Sequence, residues 1–474
     1  MENTQTLHLL QVAPAVKPPL DEVFRPAYLA HKHFAAAVQK SGQAVSLKFA
    51  LERSGGQFSV FSTQTFPEGH AEIGQAQRHA ERILKFLLWQ RGSGKIYVLG
   101  PDSIVAYLQK TYGTNGARAF DADFMKGVYE KKTFEIIGVS EKDFPKTTEV
   151  SSPVGRHLGG CRIGFDAGGS DRKVAAVIDG KEVFSCEVVW EPKLQSDPMY
   201  HFNGIDDSIR RAMEHLPRLD AIGVSSAGIF IDNKTRVASL FRKVPADLFE
   251  KHIKTLYLDI AKKWGNVPVE VANDGDVTAL AGAMSLNVQP VLGIAMGTSQ
   301  AVGYVDDKGH ITGWLNELAF APVDYADNAP VDTEWSGDKG TGVQYFSQDA
   351  VIRLAPKAGI ELDAKLSPGD KLKKVQDLLK AGDKRPLPIF ETIGVYLGYA
   401  LAQYAEFYNL QNVLILGRVT SGEGGSIILE TAQKVIKAEA PHLSDKIKIN
   451  LPDEASRRVG QAIAAASLPA ISKG

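Results

Sequence analysis

The stretch Gly164–Lys173, GFDAGGSDRK, puts an acid, two adjacent glycines, a hydroxyl and a lysine into ten residues. Adjacent glycines let a backbone approach a ligand closely or take positive φ. Asp166, just before them, is placed to hold a metal or a water. Ser170 and Lys173, just after them, are placed to meet an anion. Together they fit a phosphate group with its magnesium ion, and they also fit a hairpin turn with a solvated lysine. A second small-residue turn, Gly297-Thr298-Ser299, separates the apolar runs of VLGIAMGTSQAVGYV. A third candidate ends the apolar run VPVEVAND at Asn273-Asp274. Catalytic groups often sit at the carboxyl ends of strands in α/β folds. Either residue could also N-cap the helix expected over GDVTALAGAMSL, and the two roles are compatible.

These residues need elements to position them. CRIGFDAGGSDRKVAAVIDGKEVFSCEVVW reads as strand, glycine turn, strand, turn, strand, an antiparallel meander. A helix is expected at DSIRRAMEHL, a strand at LDAIGVSSAG, a helix at ADLFEKHIKTLYLDIAKKWG and a strand at VPVEVAND. VLGIAMGTSQAVGYVDDKGHITG repeats the opening pattern, and NVLILGRVTSGEGG leads a later strand into a glycine-rich turn. Two meanders, each opening with a small-residue turn, suggest two similar lobes with the turns on either side of a cleft. Upstream, a helix over Leu29–Lys40, a hairpin from AVSLKFALER and QFSVFSTQTF, a helix at AQRHAERILKFLLWQ and a strand KIYVLG suggest a separate small α/β unit. The segment 146–160, rich in Ser, Thr, Gly and Pro, marks its boundary.

The 474 residues are too many for one core, so two or three domains are expected. A net charge of −1 offers no basic excess for nucleic acid, and no apolar run approaches a membrane span. The N-terminal MENTQTLHLLQVAPAV has no Lys or Arg before its apolar stretch, unlike a secretory signal. Cys161 and Cys186 are the only cysteines, too few for a disulfide framework, so a reducing cytoplasm is expected.

In order and spacing, IGFDAGGSDRKVAAVIDG, VEVANDGDVTALAGA, GIAMGTSQAVGYVDDKGHITG and NVLILGRVTSGEGG resemble the ROK family. That family holds sugar kinases and related repressors of the actin/hexokinase/Hsp70 ATPase superfamily. The resemblance covers roughly residues 160–470. It implies a two-lobed actin-like ATPase (ribonuclease H-like) α/β fold with an extra N-terminal α/β domain. The expected division is 1–155 for the accessory domain, 156–285 for the first lobe and 286–474 for the second, with the C-terminal helix returning to the first lobe. By the resemblance, Asp166 lies near Mg²⁺, and Gly168, Gly169, Ser170 and Lys173 form the first phosphate loop. Gly297, Thr298 and Ser299 form the second. Gly417 and Arg418 belong to the adenosine segment, where Arg418 replaces the second glycine of a usual pair. Asp274 is the expected catalytic base and Asn273 a substrate ligand. Ser225 and Ser226, in VSSAGIF, stand where relatives carry a loop beside the sugar; they equally suit a strand end.

The resemblance also shows departures. Typical members bind zinc through a histidine after a GE-x-GH segment and through cysteines in a later loop. Here that segment is NELAF, with Glu317 kept and Phe320 in the histidine's place. Ser336 and Thr341 stand at cysteine positions, and Val343 replaces a sugar-contacting glutamate. Glu317 is a candidate hydroxyl ligand or a surface acid. The leading expectation is an ATP- and Mg²⁺-dependent kinase acting on a sugar-like alcohol. A non-catalytic sugar- or nucleotide-binding sensor, or an ATPase scaffold with a partner-binding N-terminal domain, are the alternatives. No basic recognition helix is found in the N-terminal region, which disfavours DNA binding. Radical-enzyme activases of the same fold need cluster-binding cysteines, which disfavours that group. The extra domain could cap the cleft, supply a ligand or make a homodimer contact. Without thiolate or imidazole ligands, the purified protein should hold no stoichiometric zinc. Elemental analysis finding one zinc per chain after dialysis against a chelator would overturn this.

Overall fold

Period-two patterning carries directly into the first sheet. Val45–Glu52 and Phe58–Thr65 pair antiparallel in the register Val45↔Thr65 to Glu52↔Phe58. Lys95–Leu99 adds antiparallel to the first of these strands, and Glu135–Gly138 adds parallel to Lys95–Leu99. The computed structural model describes residues 9–149, 153–451 and 454–471. Residues 150–152 of the expected boundary and 1–8 of the irregular N-terminus lie outside them. The first helix is Ala27–Ser41, ended by Gly42 in the left-handed conformation at φ 66°. The second, Ile73–Arg91, is buried over most of its last three turns.

The first meander forms as expected. Cys161–Ala167, Asp171–Ile178 and Lys181–Val189 are successive antiparallel neighbours, and Ala221–Ser226 and Val269–Asn273 extend the sheet in parallel. The last helix, Glu454–Ala466, lies across this sheet. Gly164 and Gly223 lack the Cβ that would strike the backbone at Ala462 and Ala465, so the helix sits directly on the strands.

The helix expected at DSIRRAMEHL begins earlier, at Pro198. Asp197 caps it by accepting from the Met199 N–H at 2.9 Å. The helix expected over ADLFEKHIKTLYLDIAKKWG is broken into Ala246–Leu248, a π turn at Phe249–Ile253 and Leu256–Lys263. There the Lys254 carbonyl accepts from the Thr235 N–H of a neighbouring strand at 3.0 Å.

The second meander departs further. Val291–Met296 and Gln300–Val305 form the hairpin, but only a single bridge, Val305↔Ile311, follows in place of a third strand. The chain beyond Ile311 turns instead to the helix Ile73–Arg91. That helix ends with free carbonyls, as all helices do. The Asn316 N–H donates to the Gln90 carbonyl and the Glu317 N–H to the Trp89 carbonyl, both at 2.9 Å. Asn412–Leu416 and Lys448–Asn450 complete this third sheet in parallel. One hydrophobic cluster joins Phe34, Leu84 and Phe86 to Tyr345, Tyr396 and Tyr404, so the N-terminal elements share their core with this sheet's layer. No helix among the described residues is long and apolar enough to cross a membrane.

The helix Asp274–Leu286 connects the five-stranded sheet to the sheet of the hairpin Val291–Val305. It leaves the strand Val269–Asn273 and packs on the hairpin Val291–Val305. Gly275 permits this closeness, because a Cβ there would lie 2.8 Å from the Val302 carbonyl oxygen. One turn in, the buried Asp276 Oδ1 accepts from the Tyr304 N–H and from the Asn316 amide, each at 3.0 Å. Burial, reinforced by the charge of Asp274, pushes the Asp276 carboxyl up to about 7 against those two hydrogen bonds.

Two predictions follow from this packing. A carboxyl with a raised folded pKa is protonated more readily when folded, so its contribution to stability declines as pH rises toward about 7. Asp276→Asn keeps an oxygen for both donors and removes the charge. Its melting temperature should exceed wild type by more at pH 8 than at pH 5, and an equal difference at both pH values would refute the assignment. Lys85 is fully buried between Asp121 and Asp338. Lys85→Met should cost about 3–5 kcal/mol by leaving the buried Asp121 carboxylate without its cation. A chemical-denaturation midpoint unchanged from wild type would show that the cluster is not a stabilising tie.

Candidate active site

The first turn projects from the hairpin Cys161–Ala167/Asp171–Ile178, with Asp166 opposite Lys173 across it and Ser225 beside it on the parallel neighbour. The Ser225 hydroxyl donates to Asp166 Oδ1 at 2.7 Å. Asp166 is 8 % exposed, and burial raises its pKa to about 6. Asp274 adds to that rise, while the Ser225 hydrogen bond and Lys173 oppose it. Ser226 points the other way, as strand alternation requires. Its Oγ accepts from the Tyr257 hydroxyl at 3.1 Å within the core, so Ser226 is not brought to the site with Ser225.

Asn273 is the N-cap of the helix Asp274–Leu286. Its Oδ1 accepts from the Gly275 N–H and its Nδ2 donates to the Gly228 carbonyl, each at 2.8 Å. The cap therefore falls to Asn273, and Asp274 begins the helix with no side-chain hydrogen-bond partner for its carboxylate among the described residues. Burial raises the Asp274 pKa, opposed by backbone N–H groups at the helix start and by the charge of Lys193. Glu317 reaches the same electrostatic neighbourhood from the other sheet. Burial, then the charges of Asp274 and Asp276, push its carboxyl up to about 8. Its backbone is held by the Trp89 carbonyl, and Phe320 stacks on the Trp89 ring at 4.3 Å. The charge of Asp274 thus acts on Asp166, on Asp276 and on Glu317.

The second turn and the strand end at Gly417 also come together. Val291–Met296 and Asn412–Leu416 run side by side in parallel. Gly417, at φ 96°, packs against the Met296 backbone where a side chain would collide. The Gly297 N–H donates to the Ser299 carbonyl at 2.9 Å, leaving Thr298 and Ser299 exposed. The Arg418 guanidinium donates to Thr298 Oγ1 at 3.1 Å, so it lies on the second turn.

In the first turn, Ser170 and Lys173 are both directed to Asp171. The Ser170 hydroxyl donates to Asp171 Oδ2 at 3.4 Å, and the Lys173 ammonium pairs with Asp171 Oδ1 at 3.3 Å.

A polar cavity of about 350 Å³ adjoins Asn273 and Asp276 and is closed on its far side by Arg53, Ser54 and Gln57 from the N-terminal hairpin. Arg53 also donates to the Gly313 carbonyl, which fixes that wall to the loop after the hairpin Val291–Val305. In the loop Val331–Thr341, the Ser336 hydroxyl donates to Asp332 Oδ2 at 2.7 Å, and Thr341 is buried. Among the described residues, no group of three or more His, Cys, Asp or Glu is arranged to hold a metal ion.

Sequence reasoning missed Asp276, Asn316, Arg53 and Lys193. Asp276 carried a signal, being one turn into the helix beside the Asn-Asp pair. Lys193, in the turn Pro192–Leu194, carried none.

The family model described as ROK family matches residues 162–464. A ROK hexokinase from Thermus thermophilus superposes with a TM-score of 0.51 at 17% identity, over 65% of this chain and 97% of that one. A ROK family transcriptional regulator, a homologue of the E. coli MLC protein, gives 0.50 at 19% identity, over 66% and 79%. A search of curated proteins found no match. At such identities the structural likeness speaks for the fold, which is the two-lobed actin-like ATPase architecture with an added N-terminal α/β region. With the match spanning well over half of its residues, the chain belongs to the ROK family.

Proposed function

We propose that the protein transfers the terminal phosphoryl group of ATP to a hydroxyl of a sugar or sugar-like alcohol. The observation that supports this most is the position of Asp274. It heads a helix whose cap is supplied by another residue, it is desolvated, and it shares its electrostatic field with Asp166 and Glu317 on either side. A carboxylate so placed suits general-base work on an acceptor hydroxyl. Asp274 takes the hydroxyl proton as the acceptor oxygen bonds to the γ-phosphorus. The bond from that phosphorus to the β–γ bridging oxygen breaks, and ADP departs with the electron pair.

Gly168, Gly169, Gly297, Thr298 and Ser299 supply backbone and hydroxyl groups toward the phosphates, with Arg418 behind Thr298 and Gly417 allowing the strand ends to meet. Ser170 and Lys173 join them once a phosphate competes with Asp171 for their hydroxyl and ammonium. Asp166 would hold Mg²⁺. Its buried carboxyl has one side-chain donor and a raised pKa, a condition that a hard cation relieves. Such an ion neutralises phosphate charge. Asn273 and Ser225 line the acceptor side, Glu317 accepts from a further hydroxyl, and the adjoining polar cavity takes the rest of the acceptor.

A sensor without catalysis is the second reading, and the fold-level likeness to a ROK transcriptional regulator favours keeping it. The two readings separate on one variant. Against a panel of sugars and polyols assayed for ADP release, Asp274→Asn should lower kcat roughly 100-fold or more with little change in KM. Binding of MgADP, measured by calorimetry, should stay at the wild-type level. An Asp274→Asn protein turning over at the wild-type rate would remove Asp274 from the chemistry. Absence of ADP release across the panel, with sugar binding retained by the wild type, would favour the sensor.

A further inference from the structure

We propose that Lys193 is the cation that meets the terminal phosphate of bound ATP; this rests on the kinase reading above. The first turn is short of free positive charge. Its own lysine, Lys173, is paired with Asp171, and its hydroxyl, Ser170, is directed to the same carboxylate. Lys193 arrives from outside the turn. Trp190 anchors its segment at two points. The indole Nε1–H donates to the Gly168 carbonyl at 2.8 Å, and the Trp190 N–H donates to the Ser170 carbonyl at 3.1 Å. The Glu191 N–H donates to the Tyr200 hydroxyl at 3.0 Å, which fixes the chain again just before the turn Pro192–Leu194.

The result is an ammonium lying directly over a glycine. A Cβ built on Gly169 would be 2.9 Å from Lys193 Nζ, so the missing side chain is what leaves room for the charge. Among the described residues, Lys193 has no carboxylate within ion-pair distance, unlike Lys173. On its other side its field acts on Asp274 and favours that carboxylate's ionised form. A cation seated on the phosphate turn, whose field reaches the base, suits the passage of a transferred phosphoryl group. In that transition state, charge is spread over the equatorial phosphoryl oxygens, and an ammonium there neutralises it. Lys193 is partly exposed and lies outside the hydrophobic clusters, so its removal should leave the fold intact.

The test compares MgATP with MgADP on the full chain by calorimetry, without acceptor. Lys193→Ala should weaken MgATP binding about tenfold or more, the scale of one charge-assisted hydrogen bond, and change MgADP binding less than about twofold. Lys193→Arg should keep most of the MgATP affinity. Gly169→Ala, which displaces the ammonium without removing it, should show the same preference for losing MgATP. Equal losses for the two nucleotides, or none, would overturn the role of Lys193 and leave the kinase reading standing. A wild-type protein that binds neither nucleotide would overturn both, and would do so before any variant is made.

Discussion

Lys85 has no exposed surface, and its ammonium lies 2.9 Å from both Asp121 and Asp338. Burial pulls its pKa down, and the two carboxylates together more than reverse that pull. An unpaired ammonium in such a place would cost several kcal/mol, so the three groups exist together or not at all. They come from three separate elements: the helix Ile73–Arg91, the helix Ala119–Val128 and the loop before Thr341. Arg118 adds a second cation, pairing with Asp338 at 2.6 Å and with Glu81 at 2.5 Å. Trp89 donates to Asp121 at 2.7 Å, which ties the indole that stacks on Phe320 into the same network.

The same tie holds the loop Val331–Thr341 against the N-terminal region. Asp338 is anchored by Lys85, Arg82 and Arg118, all supplied by the N-terminal region. Phe320 finds an aromatic partner in Trp89, and the backbone at Asn316 and Glu317 closes the carbonyl end of the helix Ile73–Arg91. The N-terminal region therefore does more than sit beside the ATPase fold. It sets the position of Glu317, it fixes Asn316 as a donor to Asp276, and through Arg53 it walls the polar cavity beside Asn273.

The electrostatics of the site follow from the same crowding. Asp166, Asp274, Asp276 and Glu317 are each pushed upward by burial first, and the charge of Asp274 adds to the rise of the other three. Among the described residues, positive charge nearby is sparse. Lys173 is spent on Asp171, and Arg418 reaches the opposite turn. An acidic group of this kind favours a cation-bearing or polyhydroxyl ligand, and it makes each nearby ammonium count heavily toward holding an anion.

Local physics made much of this protein legible from its sequence. Alternation and turn residues specified the two hairpins and their small-residue turns, and an apolar run ending in Asn-Asp specified a strand and a capped helix start. These depend on neighbours within a few positions. The ordered motifs carried the family as well. The tertiary structure alone decided which side chains meet. Ser225 and Ser226 read alike, yet one faces Asp166 and the other Tyr257, because register across the sheet chooses the face. Beyond the second hairpin, Asn316 and Glu317 donate to the free carbonyls at the end of a distant helix, a pairing set by the tertiary fold. Lys193 and Arg53 lie in turns with no motif, and Asp338 in a loop whose neighbours say nothing of Lys85. Their placement rests on contacts between segments far apart in the chain, which no pattern of adjacent residues encodes.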